Sequence, residues 1–196
     1  IAGLKKINFL ISHPMDFNTE IIDVINDNSN ISRSIHLPLQ SGSDPVLKAM
    51  NRKYTISDYY RIFNTITAKL DDFSISTDLI VGFPGETEQD YYNTLKAVKE
   101  IKFDEAFMYS YSPREGTPAC SIKEELTRAE KIERLNELIT LQRKISLEKL
   151  MSRINRIEMV IAEKISRKSS AEVSGKTFLN HPVVFTGSNA DIGKET

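Results

Sequence analysis

The fold is decided by the stretch SISTDLIVGFPGET, residues 74–87. Its first eight residues alternate in polarity, with Ile75, Leu79 and Val81 on one face and Ser74, Ser76 and Asp78 on the other. That alternation predicts a β-strand. Because helical patterns lie on both sides of it, the strand is expected to belong to a buried sheet of the α/β kind.

Asp78 is the informative residue of this strand. A carboxylate in the middle of a buried strand is costly unless something pairs with it. Here the polar face leads into a glycine turn at the carboxyl end of the strand, which is where α/β sheets and barrels bind ligands. We therefore predict that Asp78 belongs to a ligand site; the alternative is a carboxylate that only caps neighbouring backbone.

Bulk properties limit the possible classes of protein. The chain has 196 residues, a net charge of −1 and 40% hydrophobic residues, which fits one ordinary domain plus a smaller piece. It shows no long apolar span and no signal-peptide pattern, and Ile1 reads like the interior of a longer protein. Since Cys120 is the single cysteine, an internal disulfide and a cysteine-only metal site are excluded, and a reducing cytoplasm is expected.

Charge is distributed unevenly along the chain. Residues 1–142 hold 16 Lys and Arg against 21 Asp and Glu, whereas residues 143–168 hold 8 against 3, a local charge of +5. A basic zone on an acidic body favours contact with phosphate. The alternative is an ordinary solvated helix face.

Strand and helix patterns alternate over the first 152 residues. Strands are predicted at 7–12, 35–40, 74–81 and 105–111, separated by helices at 18–26, 44–50, 57–70 and 87–102. Four such units predict parallel strands. Four strands do not close a barrel, so the unit is either a small open sheet or part of a larger barrel.

A long helix is predicted over 127–150, opened by a capping box at Thr127 and Glu130. Its buried stripe is predicted to contain Ile132, Leu135, Ile139 and Ile145. Beyond it, short β-prone runs at 157–162, 171–173 and 182–185 predict a small all-β unit. We place a domain boundary near residue 152, with one unit over 1–152 and the other over 153–196.

Three polar residues are predicted to converge at the strand mouths. Alternation places Gln40 on one strand face with His36 and Pro38, just before a turn whose Gly42 allows close backbone approach. Together with Asp78 and the nearby cation Arg52, it could bind a small molecule that carries hydroxyl, amine and carboxylate groups.

The turn Gly82-Phe83-Pro84-Gly85 suits a backbone that runs close to a ligand, with Phe83 facing a base. Its spacing is not that of a dinucleotide fingerprint or a P-loop. His13 is interpreted as a turn or core histidine with a direct ligand role as the alternative.

Four long motifs follow one another along the chain: HLPLQSGSD at 36–44, MNRKYT at 50–55, DLIVGFPGET at 78–87 and YSPREGTPA at 111–119. In this order, and with the Ser12-His13-Pro14 element, they resemble the radical S-adenosylmethionine methylthiotransferases. The resemblance covers residues 1–150; residues 153–196 resemble more weakly the TRAM module, a small RNA-binding β-barrel.

The resemblance implies an α/β fold that is the C-terminal part of a partial (β/α)6 barrel, followed by a truncated TRAM-like barrel. It implies an enzyme that adds a methylthio group to isopentenylated adenosine beside the tRNA anticodon, with tRNA and an electron donor as partners, no membrane and a monomeric, cytoplasmic state. S-adenosylmethionine would be held by Gln40, Arg52, Ser76, Asp78 and the Gly82, Phe83 and Pro84 turn. Contacts to substrate or RNA would come from His13, Arg114, Arg153, Arg156 and Lys168.

The chain departs from the family in one respect. The family holds one [4Fe-4S] cluster with a Cys-x3-Cys-x2-Cys loop and a second with three further cysteines, and thiolates are the ligands that such clusters require. This chain has neither set. We therefore expect no catalytic residue and no metal ligand in it, and we expect the chain alone to be inactive, as an internal fragment. The open alternatives are action on threonylcarbamoyladenosine in tRNA or on a ribosomal protein, and a non-catalytic RNA-binding module.

Overall fold

The computed structural model describes residues 4–11 and 13–196. Three parallel strands, β1 (Ser34–His36), β2 (Ser74–Val81) and β3 (Glu105–Ser110), form one sheet in that spatial order. The helices are α1 (Glu20–Asp27), α2 (Asp44–Ala49), α3 (Ile56–Lys69), α4 (Glu88–Ile101) and α5 (Arg128–Met151). Three short 3-10 helices lie at Pro14–Asp16, Pro118–Ser121 and Asn189–Asp191. The α/β character and the parallel pairing predicted from the sequence are confirmed.

The predicted first strand at 7–12 is wrong over its described part. Ile7 makes one isolated bridge, to Ile31, and Ser12 lies outside the described residues. Phe9 and Ile11 pack against the hydrophobic core, whereas Leu10 between them is 82% exposed. The apolar alternation here therefore reflects side-chain packing without a strand ladder, and the sheet has three strands in the described part of the chain.

The alternation of β2 is confirmed. Ile75, Leu79 and Val81 are at most 1% exposed on the face that the helices cover. The opposite, inner face carries Ser76 and Asp78, which are both partly exposed. The expectation that Asp78 is buried is therefore wrong. This face of the sheet is open, and 29% of the Asp78 side-chain surface is exposed to solvent.

A one-residue bulge interrupts the chain after β1. His36 is in register with Ser76, but Gln40 is in register with Leu79, so the first strand has one residue more than its partner. Gln40 adopts a φ of 67°, and Thr77 supplies its hydroxyl as the acceptor for the Leu39 N–H at 2.8 Å. The predicted strand over 35–40 is therefore regular only to His36.

The long helix α5 begins with the predicted capping box, in which Thr127 accepts from the Glu130 N–H. Its buried face differs from the predicted stripe, since Ile132 is 42% exposed. The buried residues are Lys131, Leu138, Gln142 and Ile145. Polar side chains are tolerated there because they are paired, as in the 2.8 Å hydrogen bond from Gln142 to the carbonyl of Phe103.

A second, antiparallel sheet follows α5. Its strands are β4 (Val160–Ile165), β5 (Glu172–Thr177) and β6 (Pro182–Thr186). The β5–β6 connection docks against the amino-terminal ends of the first sheet, where Ser32 and Ser74 donate to the carbonyls of Phe178 and Leu179 at 2.6 and 2.8 Å. Among the described residues, no helix has the length and apolarity needed to cross a membrane.

Candidate functional site

A hydroxyl, an imidazole and a carboxylate meet on the inner face of the first sheet. Nδ1 of His36 lies 3.0 Å from Oγ of Ser76, and its Nε2 lies 3.4 Å from Oδ2 of Asp78. The three come together because His36 pairs with Ser76 in the parallel register and Asp78 is two residues further on the same face. His36 had no predicted role; the pairing of two polar strand faces was the available signal.

These groups border an open cavity of about 430 Å³. Its lining consists of Leu10, Ile11, His36, Pro38, Asp78, Phe107 and Tyr109. The bulge takes Gln40 out of the strand alternation, so His36 and Pro38 line the cavity and Gln40 does not. Pockets of this size, largely apolar with a few polar groups, suit a small molecule.

Gln40 nevertheless adjoins Asp78 through the backbone. Its N–H donates to the carbonyl of Asp78 at 2.8 Å, and its own carbonyl accepts from the Ile80 N–H at 2.9 Å. Gln40 is 6% exposed. The structure therefore joins Gln40 to Asp78 through the backbone, while the Gln40 side chain does not line the cavity beside Asp78.

Tyr54 connects this edge to two other predicted residues. Its hydroxyl donates to the carbonyl of Leu39 at 3.0 Å, inside the bulge. The ring of His13 stands edge-on to it, with centroids 5.1 Å apart. Burial raises the pKa of Tyr54 to about 12, and the nearby positive charge of Arg52 opposes that rise. His13 and the half-buried Arg52 thus both lie near one tyrosine, whose hydroxyl binds the backbone next to Gln40.

The turn after β2 is held by an acidic residue that sequence reasoning missed. The Gly82 N–H donates to Oε2 of Glu86 at 2.7 Å, and Arg134 of α5 donates to the same oxygen at 2.7 Å. Burial raises the pKa of Glu86, although the Gly82 N–H and Arg134 oppose that rise. Phe83 is 6% exposed and packs against Tyr111, so its ring is enclosed by protein in this structure.

The close backbone approach that Gly42 allows is to helix α4. A Cβ at this position would lie 2.5 Å from the carbonyl oxygen of Asn93. The surrounding segment is anchored to α4, where Ser41 and the Gly42 N–H both contact the Thr94 hydroxyl and Ser43 donates to Asp90. The Ser-Gly-Ser turn therefore anchors the bulge to α4.

The predicted RNA-contact residues fall into two groups. Arg114, Arg156 and Lys168 are exposed. Arg153 is already engaged: it binds Asp72 through two hydrogen bonds of 2.9 and 3.0 Å and also binds Glu158. Its guanidinium joins α5 and β4 to the first sheet's unit, which leaves it less available for phosphate than its neighbours.

No group of three His, Cys, Asp or Glu side chains suited to a metal ion occurs in the part of the chain that the structure describes. Cys120 is exposed in the 3-10 helix Pro118–Ser121, which follows β3. A single thiolate cannot replace the three cysteines that hold each four-iron, four-sulfur cluster of the family.

Comparison with known proteins finds a matching family model, similar sequences and a related fold. Residues 2–98 match the model of the Radical SAM superfamily. The tRNA-2-methylthio-N(6)-dimethylallyladenosine synthase of Thermoanaerobacter pseudethanolicus is 43% identical over 194 residues, or 99% of this chain. The enzyme of the same name from Treponema pallidum (strain Nichols) is 40% identical over 94% of it.

A solved structure shows a related fold. Coproporphyrinogen III oxidase (HemN) from Escherichia coli superimposes with a TM-score of 0.58 at 20% sequence identity, over 71% of this chain and 32% of that one. At that identity the likeness concerns the fold alone. The chain spans 41% of the length of the Thermoanaerobacter pseudethanolicus synthase and 40% of the Treponema pallidum one.

Proposed function

We propose that this chain, whose residues 2–98 match the Radical SAM superfamily, is part of a tRNA methylthiotransferase. The reaction we propose is addition of a methylthio group to N6-dimethylallyladenosine next to the tRNA anticodon. The observation that carries the proposal is the 43% identity over 194 residues to a synthase of that name. The aligned region includes both sheets.

We further propose that S-adenosylmethionine binds at the carboxyl ends of the first sheet's strands. Asp78 fits a ribose hydroxyl or an amine, because its carboxylate is partly exposed beside a cavity and is oriented by His36. Ser76 lies two residues before it on the same strand face, the Gln40 N–H donates to its carbonyl, and Arg52 is proposed for the cofactor's carboxylate. The Gly82, Phe83 and Pro84 turn contributes backbone at the next strand end.

The second sheet and the connection before it are proposed to contact tRNA, as a partial TRAM-like unit over 153–196. The exposed cations Arg156 and Lys168 support this, and Arg114 and His13 are proposed to face the substrate. We also propose that the whole protein uses an electron donor and is monomeric. A cytoplasmic site of action is proposed because the relatives' names give tRNA as the substrate.

The iron–sulfur chemistry does not fit the residues of this chain. Its one cysteine is exposed in a 3-10 helix, so no step is assigned to a cluster here. S-adenosylmethionine supplies its deoxyadenosyl group only when a reduced cluster lies beside it. We therefore expect residues 1–196 to bind S-adenosylmethionine without releasing deoxyadenosine.

The test uses the complete open reading frame that encodes this chain. It is expressed in bacteria whose tRNA carries N6-dimethylallyladenosine without the methylthio group, and digested tRNA is analysed by mass spectrometry. The methylthio derivative is expected, and an Asp78→Asn variant should lose it while an Asp71→Asn variant on the exposed surface keeps it. Methylthio groups on threonylcarbamoyladenosine or on a ribosomal protein would instead establish the alternatives, and tRNA binding with no modification would favour an RNA-binding module.

A further inference from the structure

Two exposed aromatic rings stand beside the Asp78 carboxylate. In the parallel register Phe107 is opposite Asp78 and Tyr109 is opposite Ile80, so both rings project from the inner face of β3. They are 45% and 54% exposed, and Leu10 across the cavity is 82% exposed. Single exposed apolar residues are ordinary, but three around one cavity mark a binding surface.

We propose that Phe107 and Tyr109 form an aromatic shelf that receives the substrate's adenine, with the apolar N6 group against Leu10. This rests on the proposed function and deepens it, because it assigns the residues that select the modified base. Unpaired bases are commonly recognised by stacking on aromatic side chains and by hydrogen bonds to their edges. The ring centroids of His36 and Phe107 lie 6.0 Å apart in a T-shaped arrangement, so His36 holds the shelf on one side.

The charges around the cavity favour a dimethylallyl group over a threonylcarbamoyl group on N6. Neither Lys nor Arg lines it in the described part of the chain, and Asp78 contributes a carboxylate. A dimethylallyl group is neutral and apolar and gains by contact with Leu10 and Pro38. A threonylcarbamoyl group carries its own carboxylate, which would meet Asp78 with no cation to offset the repulsion.

The experiment measures nucleoside binding to the purified chain by ligand-observed NMR titration. N6-dimethylallyladenosine is expected to bind about thirtyfold more tightly than adenosine, for a five-carbon group that is half buried, and N6-threonylcarbamoyladenosine more weakly than adenosine. The double variant Phe107→Ala, Tyr109→Ala should lose about tenfold or more in affinity for the dimethylallyl compound, the effect of removing base stacking. Tyr92→Ala, an equally exposed ring on α4, should change nothing.

A second variant gives a result that misfolding cannot imitate. Tyr109→Lys places a cation beside the N6 group and should reverse the order of the two modified nucleosides. S-adenosylmethionine is titrated into the same samples. If it binds but the dimethylallyl preference survives the double variant, the shelf is refuted and the proposed function stands. If neither S-adenosylmethionine nor any nucleoside binds, both are refuted, and a surface reserved for another protein segment becomes the better explanation.

Discussion

The imidazole of His36 lies 3.4 Å from the carboxylate of Asp78 and joins β1 to β2 across the inner face of the sheet. With Nε2–H directed at Asp78, Nδ1 is left to accept the hydroxyl hydrogen of Ser76 at 3.0 Å. The ring therefore restricts the rotamers of both strand residues that the family motifs assign to S-adenosylmethionine. A carboxylate held in one orientation loses less freedom when a ligand binds.

His36→Phe should weaken binding of S-adenosylmethionine to the chain about tenfold, because the ring is kept but the hydrogen bonds to Ser76 and Asp78 are lost. Isothermal titration calorimetry measures the effect. Ser34→Ala, on the same strand face, is the matched control and should bind as the parent does. Equal affinity in the His36→Phe chain would show that Asp78 needs no partner to hold the ligand.

Two glycines of one turn provide a matched pair. Gly82 has a φ of 70°, and a Cβ there would lie 2.6 Å from Cγ of Lys131. Gly85 has a φ of 82° with nothing within 4 Å of such a Cβ. Gly85→Ala should cost about 1 kcal/mol of unfolding free energy, the strain of a left-handed conformation alone.

Gly82→Ala adds a collision with a buried lysine that binds Glu124, and should cost about 3 kcal/mol. Urea denaturation followed by circular dichroism measures both substitutions. Equal costs would mean that the Lys131 side chain moves aside without loss, and that Gly82 is required only for its backbone conformation.

Local patterns predicted most of the first sheet correctly. Polarity alternation identified β2 and its inner face, and the capping box at Thr127 located the start of α5. These features depend on residues near in sequence. The candidate site was predicted from strand alternation and from motif resemblance, and a resemblance reflects long-range packing without explaining it.

The failures share a physical cause. The bulge before Gln40 depends on the Thr77 hydroxyl from another strand. The Glu86 carboxylate that binds the Gly82 N–H is held by Arg134, 52 positions after Gly82. The exposure of Ile132 depends on which side of α5 meets the sheet. None of these contacts produces a periodic pattern of polar and apolar residues, so a single sequence could not predict them.

Salt dependence separates the two arginines after α5. Arg156 is exposed, whereas Arg153 is bound by Asp72 and Glu158, and its hydrogen bonds lower the pKa of Asp72. Arg156→Ala should reduce the slope of log affinity for tRNA against log salt by about one. Arg153→Ala should leave that slope unchanged and cost about 1 kcal/mol of stability, as for a partly exposed ion pair.

Both variants are measured by tRNA binding at several salt concentrations, with urea denaturation in parallel. Lys123→Ala, an exposed cation in the loop after β3, is the control for general loss of charge. A smaller slope in Arg153→Ala would restore the original prediction that this residue contacts phosphate, and would mean that its ion pairs open on binding.

Asp104 should make the junction between the two sheets sensitive to acid. Its carboxylate accepts the Ile75 N–H at 2.8 Å and Lys149 at 2.5 Å, and His181 of the second sheet lies 3.6 Å away. Burial raises the pKa of Asp104, but His181, Lys149 and the Ile75 N–H together outweigh burial, and the pKa falls below its usual value.

A carboxyl whose pKa is lower in the folded chain stabilises the fold above its unfolded pKa of about 3.9. That stabilisation is lost as the pH falls through the folded value. Asp104→Asn keeps the shape but not the charge, so it should cost about 2 kcal/mol at pH 7. The gap between parent and variant should stay constant down to about pH 5 and narrow below about pH 4.

Urea denaturation at a series of pH values measures this gap, with the exposed Asp71→Asn as the control that should show little gap at any pH. A gap that stayed constant below pH 3 would assign the loss to packing of the new amide. A gap that closed near neutral pH would assign it instead to a group that titrates there, and His181→Gln in the Asp104→Asn background would then identify that group, because removal of the imidazole would abolish the pH dependence.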